Sequence, residues 1–167
     1  YGVLGEWRSG FGPATLTGRA LGDTTALAAS FTLADSVIEG RAAAVSDGLD
    51  ARVSGGADLA DKVVDGARVR LALRNPDLFG QTLRIEGGAL VASLTGAFDD
   101  LGIKHEIAVA RLAASGVTAA GLAQEGSARL EGSVLSLPLA LTAERVTTGI
   151  AQADPRLVKG RASGLLT

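Results

Sequence analysis

Eighteen acidic side chains and one histidine, with no cysteine, are the whole stock from which this chain could assemble acid, base or metal chemistry. His105 is followed by Glu106. A helical zinc site would need a second histidine four residues on, and Val109 stands there, so His105 reads as a polar strand residue. Asp58, Asp61 and Asp65 fall three and four apart, a spacing that would put them on one face of a helical turn. A hard cation such as Ca²⁺ takes six to eight oxygens, and neither the EF-hand spacing nor its glycine turn is present. The triplet therefore reads as a solvated face. Gly55-Gly56-Ala57-Asp58 touches a calcium β-roll repeat once and misses its next glycine.

Asp99-Asp100 is the one adjacent carboxylate pair, and paired carboxylates do glycosidase work only when they face each other across a cleft. Neighbours on a strand point to opposite sides, so a turn is the expected home for this pair. No Gly-x-Ser-x-Gly elbow and no phosphate loop ending in Lys-Ser or Lys-Thr occurs. The chain reads as a non-enzyme with no catalytic residue, no metal site and no cofactor.

The elements that would position any site are strands. In 66–74, Ala67, Val69, Leu71 and Leu73 alternate with Arg68, Arg70, Ala72 and Arg74, which sets an oily face against a cationic one. The same period runs through 25–33, 37–45, 49–53, 82–86, 89–95 and 103–109. Four leucines, 135, 137, 139 and 141, share one side of the next long candidate. Segments 117–119, 127–131 and 157–160 read as shorter strands, and 54–64 as irregular. Asp47-Gly48 and Gly22-Asp23 read as turns. Pro138 lacks an N–H and predicts a strand that is locally at an edge or bulged. A degenerate repeat, strand then polar residue then glycine, recurs as Val37-Ile38-Glu39-Gly40, Leu83-Arg84-Ile85-Glu86-Gly87 and Ser93-Leu94-Thr95-Gly96, at irregular spacing.

Composition narrows the architecture. Hydrophobic residues are 47% of the chain but aromatics only 4%, with 23 glycines, so the apolar stock is small Ala, Val and Leu. Such side chains fill a thick interior poorly, since aromatic rings normally supply much of a core's buried area. A net charge of -2 lacks the basic footprint of a nucleic-acid binder. No apolar run reaches the ~20 residues that span a bilayer. Without a methionine, the chain reads as one segment, 1–167, of a longer repetitive β-sheet domain.

From about Val63 onward the order of motifs resembles the β-rich region of the TamB translocation and assembly module family, relatives of AsmA-like proteins. The carriers are Asp65-Gly66-Ala67-Arg68-Val69-Arg70-Leu71-Ala72-Leu73, Asn75-Pro76-Asp77-Leu78-Phe79-Gly80, Leu83-Arg84-Ile85-Glu86-Gly87-Gly88-Ala89-Leu90 and Ala108-Val109-Ala110-Arg111-Leu112-Ala113. They continue as Gly121-Leu122, Gly126-Ser127-Ala128-Arg129-Leu130, Leu137-Pro138-Leu139 and Ala143-Glu144-Arg145-Val146-Thr147-Thr148-Gly149. The resemblance is strongest over 63–167. It implies an elongated, mostly antiparallel sheet curled into an open trough or taco, apolar inside, in the periplasmic part of an inner-membrane-anchored protein whose anchor lies outside this segment. It also implies traffic in phospholipid between the two membranes, or translocation and assembly of outer-membrane proteins with an outer-membrane partner.

The expectation is thus an all-β fold with one short helical turn at most. Candidate groove lining is Val69, Leu71, Leu73, Leu83, Ile85, Ile103, Ile107, Val109, Leu135, Leu137, Leu139 and Leu141. Partners would be phospholipid acyl chains or nascent outer-membrane proteins. The plainer alternative for these residues is an ordinary closed core, since most alternating apolar residues pack against another layer. Two other readings are a β-solenoid adhesin or passenger domain and a carbohydrate-active β-helix, the latter needing acidic residues convergent in a groove.

Overall fold

The computed structural model describes residues 2–4, 14–20, 23–80 and 82–166, and the alternating segments are extended throughout. Their strands are β1 (Gly2–Leu4), β2 (Ala14–Ala20), β3 (Asp23–Ala34), β4 (Val37–Val45), β5 (Leu49–Asp58) and β6 (Val63–Leu73). Then come β7 (Leu83–Glu86), β8 (Ala89–Ala97), β9 (Asp100–Ala114), β10 (Val117–Glu131), β11 (Val134–Thr147) and β12 (Val158–Leu166). A 3-10 turn at Asp154–Arg156 is the only helical element among the described residues. The fold is all-β, one antiparallel sheet ordered β1-β2-β3-β4-β5-β6-β8-β9-β10-β11-β12, with β7 beside β9 as the continuation of β8. Among the described residues the sheet is open, because β1 pairs only with β2 and β12 only with β11.

Local chemistry explains the meander. Asp35-Ser36 and Ser115-Gly116 hold positive φ at both central positions (47° and 70°, 49° and 81°). That is the turn whose twist matches two antiparallel strands. At Asp47-Gly48 the expected hairpin closes through Ser46, whose Oγ accepts from Leu49 N at 3.0 Å. The Gly22-Asp23 turn expected from the sequence lies partly outside the described residues.

Three expectations are corrected. No helical turn carries Asp58, Asp61 and Asp65. Asp58 ends β5, and its Oδ1 accepts from the N–H groups of Ala60 (2.8 Å) and Asp61 (3.0 Å). Such a side-chain acceptor offers the backbone a turn instead of a helix. The irregular 54–64 segment is strand up to Asp58, and 117–119 with 127–131 are parts of the single fifteen-residue β10. Finally, the recurrent glycines do not all end strands. Gly40 lies inside β4 beneath the ring of Phe31 on β3, where a Cβ would come within 2.6 Å of Phe31 Cδ1.

Among the described residues nothing is stacked on the sheet. Every extensive contact joins hydrogen-bonded neighbours, no side chain is completely enclosed, and the buried apolar residues are only Ala92, Ala119 and Ala128. The accessible surface is 11051 Å², against roughly 7,600 Å² for a compact chain of this mass. The closed-core alternative therefore does not hold for the described residues. Apart from the shorter β1, β2 and β7, the strands run nine to fifteen residues and cross about 30 to 50 Å.

The register slips once near the middle, between Ser54 and Gly56 on β5 and between Val64 and Ala67 on β6. Gly55 (φ 153°) makes this bulge possible, since a Cβ there would sit 2.4 Å from Ala67 Cα. Gly55→Ala is expected to lower the urea unfolding midpoint, by about 1–3 kcal/mol of stability for an overpacked site. Gly164→Ala, where a Cβ meets nothing within 4 Å, is the matched control and should leave the midpoint within error.

Candidate functional site

Directly paired residues of an antiparallel sheet project to the same face, so register assigns the two faces without further assumption. Leu49 pairs with Leu73, Leu71 with Leu90, Leu90 with Ile107, Ile107 with Gln124, and Gln124 with Leu141. On the same side, Val69 pairs with Ala92, Ala67 with Leu94, Leu94 with Ile103, and Val109 with Leu122. Leu135 pairs with Leu130, which leaves Leu137 and Leu139 between Leu135 and Leu141 on this face. The structure thus gathers Val69, Leu71, Leu73, Ile103, Ile107, Val109, Leu135, Leu137, Leu139 and Leu141 into one apolar surface crossing β6 to β11. Most are half-buried by lateral neighbours, while Leu135 and Leu141 are exposed.

Leu83 and Ile85 join by another route. They pair with Ala114 and Leu112 on β9, where simple alternation would turn them to the opposite side. Gly87 (φ 61°) between β7 and β8 breaks that alternation. The position a Gly88 Cβ would take is 2.8 Å from Leu73 Cδ1 and 3.1 Å from Ile85 Cγ2, so Ile85 and Leu73 meet over Gly88. The slip continues across the sheet: Ala110-Arg111 on β9 and Glu144-Arg145 on β11 are consecutive exposed residues, with Gly121 (φ 59°) between them on β10. Near β3 to β6 the same face hollows into a depression of about 260 Å³ lined by Phe31, Ile38, Val53, Ala57, Val64 and Ala67. Sequence reading missed this end, because Ile38 and Val64 meet only after the bulge has shifted the register.

One polar island interrupts the apolar surface. Pro138 makes a local edge, as expected, and no bulge: β11 lies between β10 and β12, and its register with β10 is the same before and after the proline, but the ladder to β10 opens around it. Pairing is open between Gln124↔Leu141 and Arg129↔Ser136. The side chain of Gln124 enters this gap and donates from Nε2 to Pro138 O at 3.3 Å. The same amide nitrogen lies 3.2 Å from the Nε2 of His105, whose other ring nitrogen is Nδ1. That Nδ1 is the one buried side-chain polar atom without a partner among the described residues. His105 is a strand residue as expected, yet at 7% exposure it lies inside the apolar face, beside Gly126. Nothing in the sequence linked Gln124 to it, since they are nineteen residues apart. Gln124→Ala is expected to destabilise the fold by about 1–3 kcal/mol, because it leaves buried polar groups unpaired. Chemical denaturation would measure this, and Ser127→Gln, at an exposed position of the same strand, should not move the midpoint.

Carboxylates are clamped on the other face and at its ends. Asp50 accepts from Arg52 (2.9 and 3.2 Å) and Arg74 (2.8 Å), and these guanidinium bonds hold its carboxyl below the usual range. Arg129 does the same to Asp100 through two bonds of 2.7 and 2.6 Å. Asp154 is lowered by the N–H and hydroxyl of Thr148. Asp99 sits in a turn, as expected, and Asp100 opens β9. No three acidic or histidine side chains converge among the described residues. A carboxyl depressed in the folded state contributes stability above its unfolded pKa of ~3.9, and loses it as pH falls through the folded value. The urea midpoint should hence be flat from pH 7 to 5 and fall below about pH 4; Arg129→Gln should shrink that acid-side loss.

No family model, no curated protein and no solved structure matches this chain.

Proposed function

We propose that this chain is a module of a cell-envelope protein whose apolar β-groove carries phospholipid acyl chains between the inner and outer membranes. The observation that supports the reading best is an unclosed, single-layer sheet with an apolar face crossing β6 to β11, broken only by the Gln124–His105 island, and no second layer over it among the described residues. Soluble proteins rarely leave so large an apolar surface bare, and such a surface fits an apolar ligand. An acyl chain lying on it would gain about 0.8 kcal/mol for each CH₂ removed from water. Outside the Gln124–His105 island the lining is aliphatic, so the gain changes little from one strand to the next and a bound chain can slide along the sheet. Leu71, Leu90 and Ile107, paired in register from β6 to β9, form such a path, and Leu130 with Leu135 continues it from β10 to β11.

The resemblance to TamB-type envelope proteins supports the same reading and supplies its setting: a periplasmic stretch of an inner-membrane-anchored chain, with nascent outer-membrane proteins as the other cargo and an outer-membrane assembly partner. The chain acts by binding and guiding, without catalysis. A solenoid passenger domain draws no support from the topology, since it stacks coils in ladders whereas these strands meander between antiparallel neighbours.

A photo-crosslinking amino acid at Ile107 or Leu139 in the whole protein in cells is expected to give lipid adducts several-fold above those from Ala108 or Ala140, which project from the opposite face. Equal yields from the two faces would overturn the proposal.

A further inference from the structure

The polar face holds a pattern that exists only across strands. Ser30 pairs with Arg41, Arg41 with Ser54, Ser54 with Arg68, Arg68 with Ser93, Ser93 with Lys104, and Lys104 with Ser127. Serine and a basic residue thus alternate over β3, β4, β5, β6, β8, β9 and β10. With strands about 4.8 Å apart, a cation recurs about every 10 Å along this row. In the adjacent row Arg52 pairs directly with Arg70. Like charges placed opposite one another weaken a sheet, and among the described residues only the Arg52 side of this pair has a carboxylate partner, Asp50.

The two rows meet at a depression of about 580 Å³ on β3 to β6, the larger of the hollows on the two faces, where Ser30, Arg41, Arg52, Ser54, Arg68 and Arg70 form the polar lining. Among the described residues no acidic side chain lines it, although the chain as a whole carries a net charge of -2. Arg52 is neutralised by Asp50, which Arg74 shares, and Arg41 Nε donates to Ser30 Oγ at 3.3 Å. Among the described residues, no ion pair or side-chain hydrogen bond engages Arg68 or Arg70. Glu39 and Glu106 share this face farther out and, among the described residues, form no ion pair with the cluster.

We propose that this depression binds a ligand carrying more than one phosphate group. Guanidinium forks match phosphate oxygens bidentately, and serine hydroxyls between them can donate as well. The volume falls in the roughly 300–1,000 Å³ range of small-molecule sites and exceeds what a single phosphate fills. Arg68 and Arg70 lie on one strand about 7 Å apart at the backbone, with Arg41 two strands away from them, so two phosphate groups can be held at once. The ligand would sit on the opposite side of the sheet from the apolar groove and is independent of the acyl-chain reading. Its source is either a soluble diphosphate compound or a lipid headgroup with two phosphates.

Calorimetric titration of the whole protein with pyrophosphate and with inorganic phosphate tests the site, alongside flotation with phosphatidylcholine vesicles with and without cardiolipin. Pyrophosphate should bind at least tenfold more tightly than inorganic phosphate, or cardiolipin should be required for flotation. The double variant Arg68→Gln/Arg70→Gln should lose at least tenfold in affinity without a lower melting temperature, because it removes the Arg52–Arg70 repulsion. Lys159→Gln on β12 should bind as the unaltered chain does. Pyrophosphate binding alone assigns a soluble ligand, and cardiolipin-dependent flotation lost in the double variant assigns a headgroup. Absence of both, or binding unchanged in the double variant and in each single variant, would overturn the proposal.

Discussion

Backbone pairing between consecutive strands is the interaction on which everything else in this molecule rests. In a layered protein the ladder is one contribution among several, and the packing of a second layer carries much of the stability. Here no second layer exists over the described strands, so side chains are covered only by neighbours on the same face, two residues away along the strand or directly across it. Long strands follow from this. β9 and β10, fifteen residues each and paired along their length except at Gly121, gain both hydrogen bonds and lateral coverage.

A structure so dependent on its ladder must repair each interruption locally. Pro138 removes a donor within an interior strand, and the amide of Gln124 satisfies the proline carbonyl where pairing opens. Phe31 lies over Gly40 and covers backbone that a glycine would otherwise leave bare. The bulge at Gly55 and Asp65-Gly66 shifts the register, and in doing so keeps Val64 and Ala67 on one side of the sheet despite their odd spacing. These repairs explain why a chain with few aromatic residues keeps its apolar side chains on one face across so many strands. The same economy leaves that face open, which is the physical basis for reading it as a groove for apolar cargo.

Much of this could be read before the structure was known. Val69, Leu71 and Leu73 opposite Arg68 and Arg70 were legible because a period of two is a property of neighbouring residues. The leucines of β11 were legible for the same reason. Leu83 and Ile85 reach the face only through the left-handed backbone of Gly87, which alternation cannot anticipate. The acidic triplet misled because its spacing fits a helix, while Asp58 caps a tight turn through its own carboxylate. Gln124, His105 and Pro138 carry no shared motif, and only the β9–β10–β11 register brings them together.

The sequence by itself determined that the chain is all-β and that its strands have an oily and a charged side. Those are local facts, set by side-chain type and the two-residue period. Tertiary structure alone decided that the sheet stays single and unclosed, and that serine and basic residues from seven strands fall into one row. The physical reason is register. A strand dictates which of its residues share a side, but which residues of other strands stand beside them depends on turn lengths, bulges and glycine conformations summed along the chain.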